Sequence, residues 1–249
     1  MVSSSECRLL VDPPADGPWN MAVDEVLLGW AGERRQCVVR LYQWDCPTLS
    51  LGYFQAFSDR CRHPPSLTCA LVRRATGGGA ILHDAELTYS IALPGGHPLG
   101  RERLSLYRTV HEALIEVLAD FELPGALCSG EETPGSERPF LCFQRRAVGD
   151  VLCATAKIAG SAQRRLAGGV LQHGSVLLRS SPAAPELPGI EDLCGRTIGP
   201  DELGRRWLGR LAARLGWRWR RDLLSGAERR AAEALVAGKY GDAAWNRRR

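Results

Sequence analysis

Hydrophobic residues recur along this chain with two different spacings, and each spacing predicts a type of secondary structure. A spacing of three to four residues predicts helices over residues 20–30, 104–121 and 201–215. A further helix is expected to begin at Ser225, because Glu228 three residues later completes a capping box.

Alternating or short continuous apolar runs, bounded by Gly, Pro and Asp, predict strands. These runs are residues 37–42, 48–53, 67–74 and 86–93, followed by short strands through Val151, Ile158 and 170–178. The turn-rich stretches 129–139 and 182–188 are expected to be surface loops. No internal repeat and no linker-like break in composition divides the chain. The expected fold class is therefore α+β, with residues 1–249 forming one domain in which helices pack against a mixed β-sheet.

Size and charge narrow the range of functions. A chain of 249 residues that is 45% hydrophobic is large enough for one core. Its formal net charge of +4 suits an acidic protein partner, and no nucleic-acid recognition motif accompanies the basic residues. No run approaches the roughly 20 apolar residues needed to cross a bilayer, and residues 1–7 show no signal peptide. We expect a cytoplasmic protein without nucleic-acid or membrane partners.

The cysteines and histidines indicate reduced thiols without a metal site. Nine cysteines are scattered without a CxxC pair, and the five histidines form no ligand-like cluster with them. An odd, dispersed set of cysteines is not typical of a disulfide framework, and zinc requires clustered ligands.

The most informative local motif is glycine-rich. Arg73-Arg74-Ala75-Thr76-Gly77-Gly78-Gly79 follows an apolar run and precedes the strand over 86–93. Three glycines allow a backbone to pass close to a ligand, and the arginines are able to hold an anion or a polar head group. The segment matches neither GxGxxG nor GxxxxGK[ST]. It predicts a small-molecule site, although a tight turn between strands is the alternative.

A second segment makes a ligand site more convincing than a turn. Lys157-Ile158-Ala159-Gly160-Ser161-Ala162 is followed by Gln172-His173-Gly174-Ser175. Together with the glycine segment, the run over 42–55 and the closing residues 239–246, these motifs resemble the lipoate–protein ligase A/octanoyltransferase family. The resemblance covers nearly the whole chain, in the family's order.

This resemblance implies the catalytic domain of the biotin and lipoate ligase fold, without the C-terminal accessory domain of larger ligases. It also implies that residues of both segments bind the acyl substrate. The residues are Arg73, Arg74, Thr76, Gly77, Gly78, Gly79, His83, Gly160, Ser161, Ala162 and His173. His83 would either carry protons or hold a hydrogen-bonded turn. Ile81, Leu82 and the strand over 50–53 would line a tunnel for an eight-carbon chain, at about 0.8 kcal/mol per buried methylene.

The resemblance further implies that Cys142 is a nucleophile. Its Cys-Phe dipeptide, just before the strand of Lys157, is similar to that of one octanoyltransferase branch, and the run over 86–89 also resembles that branch. The thiolate would take octanoate from acyl carrier protein and pass it to a lysine of a lipoyl-domain protein, either glycine cleavage H protein or 2-oxoacid dehydrogenase E2. Because a thioester becomes an amide, no cofactor is expected.

Lys157 is the cation expected to hold the Cys142 thiolate and to stabilise charge on the acyl carbonyl. The alternatives are an exposed strand lysine for Lys157 and a buried, unreactive thiol for Cys142. Cys194, which precedes a glycine as in a distant octanoyltransferase branch, and Cys153 are rival nucleophiles that we expect to serve packing.

Three other functions remain open. An ATP-dependent lipoate–protein ligase would use Arg73, Gly77, Gly78 and Lys157 to hold a lipoyl-adenylate, with ATP and Mg²⁺. An amidotransferase would move octanoate or lipoate between lipoyl domains through a thioester. A non-catalytic paralogue would bind acylated proteins without forming a covalent adduct. A requirement for ATP separates the ligase from the transferase.

Overall fold

The computed structural model of the chain describes residues 5–130 and 139–248, so most of the loop predicted over 129–139 lies outside the described residues. Eight strands form a large mixed sheet in the order β11-β1-β2-β6-β10-β9-β8-β7. These strands are β1 (Ser5–Val11), β2 (Val38–Tyr42), β6 (Glu86–Pro94), β7 (Gly125–Leu127), β8 (Val151–Cys153), β9 (Ala156–Leu166), β10 (Gly169–Leu177) and β11 (Trp217–Arg221). A second sheet, ordered β4-β3-β5, contains β3 (Thr48–Leu51), β4 (Ala70–Arg73) and β5 (Ile81–His83).

The helices pack on both faces of the large sheet. They are α1 (Gly17–Arg34), α2 (Pro98–Arg101), α3 (Arg103–Ala119), α4 (Ile190–Cys194), α5 (Pro200–Leu215), α6 (Gly226–Leu235) and α7 (Ala243–Asn246). Short 3₁₀ helices span Phe57–Arg62, Pro64–Thr68 and Cys142–Gln144, and a π-helical turn spans Val236–Tyr240. None of the helices in the described part of the chain is both long and apolar enough to cross a membrane.

Strand alternation distributes the core between the two faces of the sheet. In β2, Val39 and Leu41 join the core that contains α3 and α5, whereas Val38 and Tyr42 join the core that contains α1. Successive side chains of a strand point to opposite faces, so a strand buried on both sides is apolar at nearly every position. A third, smaller cluster fills the space between the small sheet and the segment around Phe140.

The predicted α+β class, with a mixed sheet and flanking helices, is confirmed. The helices predicted over 104–121 and 201–215 agree with α3 and α5 to within two residues at each end. The capping box at Ser225 is present, since the Ser225 hydroxyl accepts from the Glu228 N–H and the Glu228 carboxylate accepts from the Ser225 N–H.

The prediction of a single sheet is incomplete, because the glycine segment leads into the separate three-stranded sheet. The run over 67–74 is not a continuous strand. Two prolines begin a 3₁₀ helix at Pro64, since their fixed φ suits a first helical turn, and β4 starts only at Ala70. Strands β1, β5, β7 and β11 were not predicted.

Candidate active site

The glycine segment connects β4 to β5 and forms one wall of a cavity. Gly78 has a φ of 99°, a conformation that costs glycine little. A Cβ on Gly52, just after β3, would lie 2.1 Å from the carbonyl oxygen of Gly78. Both positions therefore require glycine for the loop to fold back onto β3.

Arg74 holds this loop from the inside. Its guanidinium donates to the carbonyl oxygens of Gly77 at 2.8 Å, Gly79 at 2.6 Å and Ser50 at 3.0 Å. Among the described residues, its buried Nε has no hydrogen-bond partner. Burial lowers the pKa of Arg74 to about 10, which leaves it charged at neutral pH. The cavity wall therefore contains a buried cation whose hydrogen bonds go mainly to carbonyl oxygens.

Arg73, which was also predicted to bind substrate, lies outside the cavity lining. Its guanidinium donates to carbonyl oxygens of Gly52, Gln55, Trp245, Asn246 and Arg248. Alternate side chains of a strand point in opposite directions, which separates Arg73 from its neighbour Arg74. The position of Arg73 gives it a structural role in joining the C-terminal segment to β4.

Backbone hydrogen bonds of the segment that contains Cys142 place this residue at the cavity. The Cys142 N–H donates to the Ala80 carbonyl at 2.7 Å, and the Ala80 N–H donates to the Phe140 carbonyl at 3.1 Å. These bonds place the thiol next to the end of the glycine segment. Cys142 is half-buried and lines the cavity.

Lys157 lies behind Cys142, on β9. Its Nζ is 3.9 Å from Cys142 Sγ and 3.3 Å from the Cys142 carbonyl oxygen. The side chain is only 4% exposed, so the alternative of an exposed strand lysine is excluded. A Cβ on Gly160 would lie 2.6 Å from Lys157 Cε, so glycine at position 160 leaves the space that this side chain occupies.

Asp150 is the partner of Lys157 that sequence reasoning missed. Its Oδ2 is 2.7 Å from Lys157 Nζ and accepts from the Ala147 N–H at 2.8 Å. Its Oδ1 accepts from the Tyr107 hydroxyl at 2.8 Å. A buried ammonium needs such a paired, hydrogen-bonded carboxylate, because desolvation of the lone charge is costly. In the sequence, Asp150 is marked only by the Gly149-Asp150 turn before β8. Its pairing with Lys157 is visible only in the three-dimensional structure.

His83 is held on both sides of its ring. Its Nδ1 lies 2.6 Å from Glu86 Oε1 and its Nε2 lies 2.7 Å from Ser50 Oγ, while the ring stacks on Trp44 at 3.8 Å. Burial lowers the pKa of His83, so the ring is neutral at pH 7. A carboxylate only accepts, so Nδ1 carries the hydrogen and Nε2 accepts from Ser50. This arrangement favours the hydrogen-bonded role over that of a proton carrier.

His173 also has both ring nitrogens engaged. Its Nδ1 is 3.1 Å from Asp24 Oδ2 and its Nε2 is 2.6 Å from Thr76 Oγ1. Burial opposes ionisation of Asp24, but the hydrogen bond from His173 and the charge of Arg40 outweigh it and lower the Asp24 pKa. His173 thus connects α1 to the glycine segment through Thr76.

The cavity, about 520 Å³ with its open mouth included, brings most of the predicted residues together. Its lining includes Arg74, Gly77, Gly78, His83, Cys142, Gly160, Ser161, Ala162 and His173. Thr76, Gly79 and Lys157 contact lining residues from behind. Of the predicted tunnel residues, Ile81 lines the cavity, whereas Leu82 and Leu51 pack in the small core cluster. Cys153 is buried in the main core, and Cys194 packs against that core at the end of α4.

Comparison with known proteins agrees with this architecture. Residues 16–186 match the lipoyl protein ligase A/B catalytic domain. The octanoyltransferase LipM of Geobacillus kaustophilus is 38% identical over 179 residues, which cover 67% of this chain and 62% of the relative. The octanoyltransferase LipM of Kyrpidia tusciae is 31% identical, over 97% of this chain and 98% of the relative.

Solved structures share the fold. A bi-partite lipoate protein ligase from Thermoplasma acidophilum, described with its E2 lipoyl domain, superposes with a TM-score of 0.73 and 23% identity, over 98% of this chain and 96% of that one. The fold is that of the lipoate protein ligases. With the sequence matches, the chain belongs to the lipoyl protein ligase A/B catalytic domain family.

Proposed function

We propose that this protein is an octanoyltransferase of protein lipoylation. Cys142 would take an octanoyl group from acyl carrier protein and pass it to a lysine of a lipoyl-domain protein, such as glycine cleavage H protein or 2-oxoacid dehydrogenase E2. The main support for this proposal is the position of Cys142, which lines the cavity with its Sγ 3.9 Å from the buried Nζ of Lys157. The names of the related LipM octanoyltransferases support the same activity.

In the first half-reaction, the Cys142 thiolate attacks the thioester carbonyl carbon of the acyl carrier. A new carbon–sulfur bond forms, the carrier's carbon–sulfur bond breaks, and the carrier thiolate leaves and takes a proton from solvent. Lys157 lies next to the thiol, and the buried Arg74 interacts with Cys142 electrostatically. These two positive charges favour the thiolate and the oxyanion of the tetrahedral intermediate. Asp150 is a positioning residue, because it fixes the ammonium of Lys157 beside the sulfur.

In the second half-reaction, the acceptor lysine discharges the acyl-enzyme. Its neutral amine attacks the thioester carbon, the carbon–nitrogen bond forms and the carbon–sulfur bond breaks. One N–H proton passes from the attacking nitrogen to the Cys142 sulfur, which leaves as the thiol. A covalent nucleophile of this kind divides one difficult transfer into two easier steps. Because an amide is more stable than a thioester, the reaction as proposed needs neither ATP nor another cofactor.

Intact-protein mass spectrometry tests the proposal. The purified chain is mixed with octanoyl–acyl carrier protein without ATP, and then with a lipoyl domain. We expect one octanoyl adduct that the lipoyl domain removes. The adduct should be absent from Cys142→Ala and retained in Cys153→Ala, a matched cysteine deletion in the main core. A folded protein that forms no adduct would contradict the proposal.

A lipoate–protein ligase is the second candidate, favoured by the ligase fold and by the buried cation Arg74 in the cavity wall. Gly77, Gly78 and Lys157 would then help to hold an acyl-adenylate, and ATP with Mg²⁺ would be required. The same assay separates the candidates, because only a ligase acylates the lipoyl domain from free acid and ATP. An amidotransferase is recognised by replacing the acyl carrier with an octanoylated lipoyl domain as donor.

A further inference from the structure

Ser161 stands in the cavity wall with its hydroxyl held by two buried groups. Its Oγ lies 2.7 Å from Nε2 of His111, a residue of α3, and also forms a hydrogen bond with the hydroxyl of Tyr89 on β6. A Cβ on Gly174 of the neighbouring strand β10 would lie 2.5 Å from this Oγ. The hydroxyl therefore occupies a space that glycine at position 174 leaves free.

His111 fixes the direction in which Ser161 donates. Its Nδ1 lies 2.6 Å from the Gly149 carbonyl oxygen, which can only accept, so Nδ1 carries a hydrogen. Burial lowers the pKa of His111 to about 4, so the ring is neutral at pH 7. Its Nε2 is therefore an acceptor, which two hydroxyls approach, Ser161 at 2.7 Å and Tyr89 at 3.3 Å. We assign the donation to Ser161, because its oxygen is the nearer of the two.

Tyr89 occupies one of the two lone pairs of Ser161. The Gln172 side-chain N–H donates to the Tyr89 oxygen at 3.1 Å, and burial raises the pKa of Tyr89, so the phenol keeps its proton. The Tyr89 hydroxyl then donates to Ser161 Oγ, because the hydrogen of Ser161 is already used towards His111. No other residue in the described part of the chain donates to Ser161 Oγ, and Ser161 lines the cavity. Its second lone pair is therefore left for a molecule in the cavity, towards which Ser161 acts only as an acceptor.

The position of Ser161 is fixed relative to the sulfur. The Ser161 N–H donates to the Tyr107 hydroxyl at 2.9 Å, and that hydroxyl donates to Asp150. Asp150 in turn pairs with Lys157, whose Nζ contacts Cys142. A continuous chain of hydrogen bonds therefore connects the Ser161 backbone to the thiol.

We propose that Ser161 orients the acceptor amine during discharge of the acyl-enzyme. This inference rests on the proposed function. The amine has N–H groups that donate to the free lone pair of Ser161, which directs the nitrogen lone pair at the thioester carbon. A carrier thiolate has no hydrogen to donate and gains nothing from the same oxygen. Ser161 thereby favours transfer to an amine over return of the acyl group to a thiol.

The bonds and protons of this step balance. The acceptor lysine loses one proton to solvent before the attack, and its neutral nitrogen forms the carbon–nitrogen bond. As the carbon–sulfur bond breaks, the second N–H proton passes to the departing Cys142 sulfur. The products are an amide and a thiol, and Ser161 keeps its own proton throughout.

The test compares two nucleophiles on the same octanoyl-enzyme. Discharge is followed by intact mass with a lipoyl domain, and separately with a small thiol, for the unmodified chain and Ser161→Ala. We expect Ser161→Ala to affect adduct formation and discharge to the thiol less than it affects discharge to the lipoyl domain. Its discharge to the lipoyl domain should fall by between about tenfold and about a hundredfold, as for a misplaced reacting group.

Ser175→Ala is the matched hydroxyl deletion, because Ser175 also lines the cavity but donates to Glu86. We expect it to leave the ratio of amine to thiol discharge unchanged. Equal losses towards both nucleophiles in Ser161→Ala, or an unchanged amine rate, would overturn the role of Ser161 while leaving the proposed function intact. A failure of the unmodified chain to form any adduct would contradict both.

Discussion

At the scale of single residues, the Lys157–Asp150 pair has the greatest consequences. Both side chains are almost completely buried, at 4% and 2% exposure. Such a buried ion pair adds little to the free energy of unfolding compared with apolar residues in the same place. Removal of one partner, however, is destabilising, because it leaves an uncompensated buried charge. The pair is therefore better explained by the need for a fixed cation beside Cys142 than by stability.

We predict that Asp150→Asn lowers the free energy of unfolding by about 3 to 5 kcal/mol and slows adduct formation on Cys142. The double variant Asp150→Asn/Lys157→Met should recover much of the stability, because no buried charge remains, but it should not recover adduct formation. Urea unfolding and the rate of octanoyl adduct formation measure the two effects. Recovery of both in the double variant would assign the pair a purely structural role.

His111 predicts a pH dependence of stability. Its pKa is about 4 in the folded chain, against an ordinary value of 6.5. Between these values the unfolded chain binds a proton that the folded chain does not, so the free energy of unfolding decreases as the pH falls. At about 1.36 kcal/mol per pKa unit, the full loss is about 3 kcal/mol.

We therefore expect His111→Gln to lose less stability than the unmodified chain between about pH 7 and about pH 4.5. Urea unfolding at both pH values gives the change in the free energy of unfolding with pH, once for the unmodified chain and once for His111→Gln. The difference between these two changes removes the contribution of other titrating groups. An equal pH dependence of the free energy of unfolding in both proteins would show that His111 does not resist protonation in the folded state.

At the scale of elements, α1 offers a matched pair of glycines. A Cβ on Gly32 would lie 2.2 Å from the Ala167 carbonyl oxygen in the β9–β10 turn, whereas a Cβ on Gly29 meets nothing within 4 Å. Glycine in a helix interior costs about 1 kcal/mol relative to alanine. Gly29→Ala should therefore raise the free energy of unfolding by up to about 1 kcal/mol, and Gly32→Ala should lower it. Thermal unfolding of the two variants decides this, and a stabilising Gly32→Ala would contradict the close contact between α1 and the turn.

The sequence predicted the elements that carry a strong local pattern. Helices α3 and α5 have apolar stripes, and α6 has its capping box, so local rules are sufficient for them. Strand β11 also has a pattern, since Trp217 and Trp219 face the core while Arg218 is exposed. Despite this pattern, no strand was predicted there. Its partner β1 lies about 200 residues away in the chain, and no local rule indicates that pairing.

The candidate site was predictable only as far as its motifs extended. Family-like segments indicated Cys142, Lys157 and the glycine segment, and the structure brings these together. Asp150 and His111 belong to no such motif, and their importance depends on distances between side chains from different elements. Arg74 lines the cavity and Arg73 does not, and a pair of adjacent arginines in a sequence does not show which one faces a cavity.

At the scale of the whole molecule, the C-terminal segment braces the glycine segment. Asn246 accepts from the Arg73 N–H at 2.7 Å and donates to the Tyr240 carbonyl at 2.8 Å. The Trp245 indole donates to the Arg73 carbonyl at 2.9 Å. The C-terminal residues thus hold β4, which lies more than 170 positions earlier in the sequence and leads directly into the glycine segment.

We predict that Asn246→Ala makes the glycine segment more mobile without changing any residue that lines the cavity. A buried N–H and a buried carbonyl lose their partners, each at a cost of about 1 to 3 kcal/mol, so unfolding should become easier by about 3 kcal/mol. Amide hydrogen exchange should rise over residues 70–80 as well as over 239–248, and adduct formation on Cys142 should slow. Asn246→Asp keeps the acceptor for Arg73 and loses only the donor, so its effects should be intermediate. If exchange rises only around residue 246, the brace does not reach the site, and β4 must be held by its pairing with β3 alone.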